Sequence, residues 1–363
     1  MKRPLLTFLF FILFVPVSID AKLKTRNVIL ITLDGIRWQE IFSGADSTLI
    51  FNKTFIKDSA NVVKRFWADS ENQRRQKLMP FLWSEITKDG QLYGNVKKNS
   101  IVELENPYWF SYPGYSEMLV GYVDPTRNSN ATENNPNITV LEYIHGQPGF
   151  DGKVAAFCSW DVFDYILNEE RAGFLVNAGM ERYEDIRGNK SLELFNELVF
   201  QIPVPWASVR FDAFTYHYAF DYLKRFKPKL LYIAFDETDE FAHEGKYDQY
   251  LYSANRLDGF IKNIWNWVQS DHNYKNKTTL IITTDHGRGN EPIDYWRHHG
   301  SNVKGAEKVW IAVVGPDTPT TGEVNNSRTI YSSQIAKTIS MLLGVDYTNK
   351  EPVGDVIKEI FYD

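Results

Sequence analysis

An α/β fold, layered as a three-layer helix–sheet–helix sandwich around a mostly parallel sheet, is what this sequence predicts. Three observations carry that reading. Apolar, β-rich runs recur at 27–33, 99–104, 153–158, 173–176, 229–235, 279–284 and 308–314, and several are nearly continuous, as strands buried on both faces are. Helical patterns lie between them, and such alternation is the mark of a layered α/β domain. Three runs also end on or just before an acidic residue: Asp34, Asp239 and Asp285. Ligands of open α/β sheets bind outside the carboxyl ends of the strands, so these positions predict one polar site built from distant parts of the chain.

The helices come next, in order. Residues 80–90 open on Pro80 and stop at Gly90, the asymmetry expected of a helix with a defined start and end. Residues 211–226 and 250–267 carry apolar side chains at helical spacing. Two stretches fit the alternation poorly. Residues 124–148 are rich in Asn, Pro, Thr and Gly and read as a long loop, and 159–210 hold many aromatics with little periodicity. Long loops in compact domains are often lids, so a cap insertion bordering the site is expected within about 122–210.

The chain has 363 residues, 43% hydrophobic and 24% charged, ordinary for a globular protein. A net charge of −6, with acids and bases intermixed, gives no nucleic-acid-binding surface. Met1-Lys2-Arg3, the apolar run 5–17 and Ala21 read as a signal peptide over 1–21, leaving a mature domain of 22–363. The apolar run falls short of the about 20 residues of a membrane span, so no stable span is expected after cleavage and the protein is expected to be periplasmic or secreted. Cys158 is the sole cysteine and ends a strand-like run, which makes it a packing residue. With no internal disulfide, an exported chain must rely on a large core.

Each candidate motif has a plainer reading beside it. Asp239 and His243 are four apart, a spacing that puts both on one helix face and lets them share a metal. The same spacing describes an N-capping Asp and a surface His. Glu237, Glu240 and Asp236 crowd the assignment. Asp285-His286-Gly287 comes after a clear strand; both side chains can reach a metal if the chain turns at Gly287, or the segment is simply a turn. Asp34 is a ligand or a helix cap. Of His298 and His299, one is expected to bind, because adjacent imidazoles point in different directions. Ser111 stands at the start of a helical pattern with Pro113 and Glu117 in its first turns. There it caps the helix, or serves as a nucleophile beside backbone N–H groups that hold an anion.

Taken in order, an Asp after the first strand, a Ser at a helix start, Asp-x-x-x-His, Asp-His-Gly and His-Gly, the chain resembles the alkaline phosphatase superfamily of metal-dependent phospho- and sulfo-hydrolases over about 27–345. The resemblance implies an alkaline-phosphatase-like fold and two divalent metal ions. Asp34, Asp285 and His286 would hold one; Asp239, His243 and His299 would hold the other. Ser111 would lie between them as nucleophile and ligand. His299 is preferred to His298 because Gly300 comes directly after it. The donor set suits zinc, with manganese the alternative, and a small phosphorylated compound, monoester or diester, is the expected substrate. Two departures matter. Ser111-Tyr112-Pro113-Gly114-Tyr115 has Tyr where sulfatases carry Arg, and Gly114 replaces the Asn of many nucleotide phosphodiesterases. A sulfatase of the same fold is the enzymatic alternative; a carbohydrate- or envelope-binding protein, using the 10 Trp and 20 Tyr as stacking platforms, is the non-catalytic one. Arg37, Arg288 and Arg297 lie near motifs, with no ground to choose a phosphate clamp among them. Trp160, Phe163 and Tyr183 are expected to shape the leaving-group side.

Overall fold

The computed structural model describes residues 23–362; the segment 1–21, expected above to be a signal peptide, lies outside them. Ten strands are present among those residues: β1 Asn27–Leu33, β2 Gln91–Tyr93, β3 Val102–Glu103, β4 Val154–Cys158, β5 Leu175–Ala178, β6 Leu230–Phe235, β7 Thr278–Thr283, β8 Ile311–Val314, β9 Gly322–Glu323 and β10 Ile330–Tyr331. Eight form one sheet in the order β5-β4-β6-β1-β7-β8-β2-β9. The five from β5 to β7 run parallel, whereas β8 is antiparallel to both β7 and β2. The run expected as a sheet strand at 99–104 is instead the two-residue β3, paired with β10 in a separate ribbon.

The sheet's central strand shows why three layers form. Side chains alternate across a strand, and Ile29, Ile31 and Leu33 enter one core while Val28 and Leu30 enter the other. Both cores are apolar, so β1 is buried along its whole length. Each such Ile, Leu or Val contributes about 1.5–3 kcal/mol on burial. Helices Asp212–Phe226 and Tyr247–Ser270 cover the first face through Tyr218, Ala219, Leu251, Ala254 and Leu257. Helices Ser111–Val120 and Gln334–Leu342 cover the second through Tyr115, Met118, Leu119, Ile335 and Ile339.

Residues 122–210 do not stand apart from this sandwich as a block. They supply β4 and β5, the outermost parallel strands. The 124–148 stretch, read above as loop, contains the helix Val140–His145, capped by the Thr139 hydroxyl accepting from the Glu142 N–H at 3.2 Å. Thr139-x-x-Glu142 is a capping-box pattern hidden by the polar residues before it. Among the described residues, no helix is long and apolar enough to cross a membrane.

Candidate metal centre and nucleophile

The sheet order brings the three acidic strand ends together. β6, β1 and β7 are neighbours and in parallel register, with Leu33 opposite Phe235 and Thr32 opposite Thr283. Adjacent strands lie about 4.8 Å apart, so side chains leaving their carboxyl ends meet within one small volume. Asp34 leaves β1 directly, Asp285 comes just after β7, and Asp239 and His243 stand on the helix Glu237–His243 next after β6.

One donor group is Asp34, Asp285 and His286, all buried, with one ligand atom from each lying within 4.8 Å of the others. The Tyr115 hydroxyl donates to Asp34 Oδ2 at 2.8 Å, and the Gly35 N–H donates to Asp285 Oδ1 at 3.2 Å. The remaining oxygens, Asp34 Oδ1 and Asp285 Oδ2, are buried without a hydrogen-bond partner. Burial pushes both carboxyls well above the usual range, aided by the charge of Asp285 on Asp34 and of Asp239 on both. His286 Nδ1 lies 2.9 Å from the Gly287 carbonyl. A carbonyl only accepts, so Nδ1 carries the proton and Nε2 presents its lone pair. Nε2 faces Asp34 Oδ1 and Asp285 Oδ2, each at 3.4 Å. Burial pushes the ring's pKa down to about 4, so it is neutral at pH 7. A lone pair and two orphaned carboxylate oxygens aimed at one another repel unless a cation sits among them, so these residues fit a divalent metal.

A second cluster of ligand atoms within 4.8 Å of one another is Asp239, His286 and His299, and His243 adjoins it. His243 Nε2 is 3.0 Å from Asp239 Oδ2 and 2.9 Å from His299 Nε2, and His299 Nε2 is 3.8 Å from Asp239 Oδ1. Asp239 Oδ1 is also 3.6 Å from His286 Nε2, which joins the two groups. Burial opposes ionisation of Asp239, but the contacting Arg288 guanidinium and His243 hold its carboxyl well below the usual range. Burial and the neighbouring His286 keep His299 well below the usual imidazole value. His298 turns away to Asp294 at 3.4 Å and is half-exposed.

Ser111 completes the constellation. It is the first residue of the helix Ser111–Val120, whose N-cap, Phe110, makes no side-chain cap bond. Its Oγ lies 3.3 Å from His286 Nε2. The next amide, Tyr112 N, donates to Asn130 Oδ1 at 3.0 Å, so the helix start is only partly free. Trp109, two residues before Ser111, has φ +53°, a left-handed conformation that costs a bulky residue about 1–3 kcal/mol. Two contacts hold it: its N–H donates to Asn106 Oδ1 at 3.1 Å, and its carbonyl accepts from the Gly300 N–H at 2.9 Å. The second ties the Ser111 approach to the residue after His299. Glu117, from within the helix, accepts the Glu105 and Asn106 amides at 3.0 and 2.8 Å.

Two glycines permit this packing. Gly35 has φ +58°, and a Cβ there would fall 2.6 Å from Asp239 Oδ1. A Cβ at Gly114 would fall 2.4 Å from the Asp285 carbonyl. Gly114 therefore sets how closely the helix Ser111–Val120 approaches the segment just after β7.

Several residues near the motifs take other roles. Arg37 is buried against Glu40, and Arg288 is fully buried behind Asp239, so neither reaches a substrate. Arg297 donates to the His243 carbonyl at 3.0 Å and to Asp294 at 3.2 Å. Phe163 and Tyr183 are core residues: Phe163 packs on Tyr115 and Tyr232, Tyr183 on Phe157 and Tyr218. Trp160 packs edge-on against Phe163. The space beside the site is made elsewhere, by a cavity of about 540 Å³ lined by Phe110, Tyr295, His298, His299 and Gly300–Val303.

Residues 213–347 match the family model described as Metalloenzyme superfamily, a span holding Asp239, His243, Asp285, His286 and His299. No curated protein matches the sequence. Among solved structures, a variant of the alkaline phosphatase PafA aligns over 93% of this chain and 99% of its own, with TM-score 0.58 and 10% identity. The phosphonate monoester hydrolase of Agrobacterium radiobacter aligns over 93% and 77%, with TM-score 0.57 and 14% identity. Murine ectonucleotide pyrophosphatase/phosphodiesterase 5 aligns over 93% and 100%, with TM-score 0.53 and 10% identity. The chain thus shares the alkaline-phosphatase-like fold of these structures, and residues 213–347 carry the sequence pattern of the Metalloenzyme superfamily.

Proposed function

We propose that this protein is an exported, metal-dependent hydrolase of phosphoric esters that uses Ser111 as its nucleophile. The observation that carries the reading is the convergence of Asp34, Asp239, Asp285, His286 and His299 beside one serine hydroxyl, with His243 adjoining and two carboxylate oxygens left without partners. Asp34, Asp285 and His286 would hold one ion, and Asp239, His243 and His299 the other; zinc suits this donor set, with manganese the alternative. When bound, two divalent ions supply Lewis-acid charge that makes a hydroxyl nucleophilic and neutralises a leaving oxygen. The chain's own part is to aim and to exclude. Ser111 Oγ loses its proton to solvent and attacks phosphorus, the P–O bond to the leaving group breaks and that oxygen takes up a proton, and water then cleaves the bond between phosphorus and Oγ and restores the Oγ proton. The helix start and its backbone N–H groups favour the anionic ester. The cavity beside Phe110, Tyr295 and His299 seats the leaving group.

The test is turnover of p-nitrophenyl phosphate, bis-p-nitrophenyl phosphate and p-nitrophenyl sulfate, with metal analysis of the same samples. Ser111→Ala should abolish turnover and keep the metal, whereas Asp285→Ala should lose both. Full activity of Ser111→Ala would exclude covalent catalysis at that residue, and turnover of the sulfate alone would make the protein a sulfatase. A mature N-terminus near Lys22, read by mass, supports export; an intact Met1 in a cell-associated product contradicts it.

A further inference from the structure

Arg288 comes directly after the Asp-His-Gly motif, yet it contacts neither solvent nor the serine. Its guanidinium is fully buried and is fixed by three backbone carbonyls: Nε donates to Gly35 O at 3.0 Å, Nη1 to Arg297 O at 2.7 Å and Nη2 to Asp239 O at 3.1 Å. These anchors come from the β1 turn, the helix after β6 and the segment before His299, so the cation's place does not depend on any carboxylate. From there Nη2 also reaches Asp239 Oδ1. One of the two oxygens of Asp239 is therefore already held by a permanent positive charge.

Among the described residues, the carboxylates of the other donor group have no guanidinium in contact, and Arg288 acts there only on the His286 ring, at longer range. Asp34 and Asp285 receive only neutral hydrogen bonds, from Tyr115, Thr284 and the Gly35 amide, and each keeps one buried oxygen without a partner. Asp236 acts more strongly on Asp239 than on Asp285, and Glu240 also faces Asp239, but Arg288 is the group in direct contact with Asp239 Oδ1. The side chain of His243 is 41% exposed, whereas His286 is fully buried. Water therefore reaches the Asp239 group at its His243 edge, while the Asp34–Asp285 group stays dry.

We propose that Arg288 makes the two metal positions unequal, so that the Asp34–Asp285–His286 position binds a divalent ion tightly and the Asp239–His243–His299 position binds it weakly and exchangeably. Arg288 is on this account a positioning residue that acts through Asp239. The proposal rests on the two-metal reading above and adds an order of affinities to it.

The experiment is a titration of the metal-free protein with zinc in competition with a chromophoric chelator. Two resolved steps are expected, at least 100-fold apart. His243→Ala should remove the weaker step and Asp34→Asn the tighter one. Arg288→Gln, which keeps N–H donors for the carbonyls and drops the charge, should tighten the weaker step at least tenfold and leave the tighter one in place. Arg288→Lys, which keeps the charge, should resemble wild type. Circular dichroism and melting establish that each variant is folded; should Arg288→Gln fail there, the two single-ligand variants and Arg288→Lys decide. Coincident steps in wild type, loss of the tighter step in His243→Ala, a tightened weaker step in Arg288→Lys, or an unchanged weaker step in folded Arg288→Gln overturns the proposal. Binding of no zinc at all would instead overturn the two-metal reading itself.

Discussion

Gly114→Ala is the most informative single perturbation, because one methyl group tests how the serine is placed. The new Cβ would lie 2.4 Å from the Asp285 carbonyl oxygen, where 3.4 Å is ordinary contact. The carbonyl belongs to the segment directly after a buried central strand and cannot retreat, so the helix Ser111–Val120 must back away by about 1 Å. Ser111 lies one turn before Gly114 and moves with it, away from a His286 contact of 3.3 Å. A displacement of about 1 Å at a reacting group costs about 100-fold in rate. Stability is a contest between two effects: Ala gains about 1 kcal/mol of helix propensity over Gly, and overpacking costs about 1–3 kcal/mol. The net loss is therefore about 0–2 kcal/mol, a fall of a few degrees in Tm. The assay is kcat on p-nitrophenyl phosphate beside zinc content and Tm. The expected result is a folded, metal-loaded variant about 100-fold slower. A rate within threefold of wild type, with zinc retained, would refute the argument that Gly114 sets the serine's position.

Other consequences are separable. Tyr115→Phe removes the donor to Asp34 Oδ2, and loss of such an outer partner lowers metal affinity about 10–100-fold; zinc competition that shows no weakening would contradict this role. The metal-free protein should lose stability as pH rises from 6.5 to 8. Burial raises Glu117 to about 7, so the folded state binds that proton more tightly than the unfolded state does. This contribution is complete below the unfolded carboxyl value and fades as pH passes through 7, by about 1 kcal/mol over the window. Burial and the facing Glu237 shift Asp212 in the same direction. His286 and His299, whose folded values are depressed, act with the opposite sign as pH rises through the unfolded imidazole value of about 6.5, each offsetting about 0.4 kcal/mol within the window. A Tm of metal-free protein that climbs from pH 6.5 to 8 would contradict the assignment.

Residue type and local pattern were enough to expose the strands, since β1, β6 and β7 are apolar on both faces and can only be central. The same pattern marks the polar residues just past each strand end, which is why Asp34, Asp239, Asp285, His286 and Ser111 stand out in the linear chain. Order along the chain was enough to prefer His299 over His298. Adjacency is absent from the linear chain. That β6 and β7 flank β1, and so bring the three carboxylates together, is a property of the sheet order, which is decided by crossover connections and by burial of both faces at once. Short strands such as β2, β9 and β10 escape notice because two or three residues set up no period. The contacts of Arg288, Tyr115 and Gly114 were equally hidden: a buried cation, a hydroxyl and a missing side chain acquire meaning only from the atoms that packing places against them.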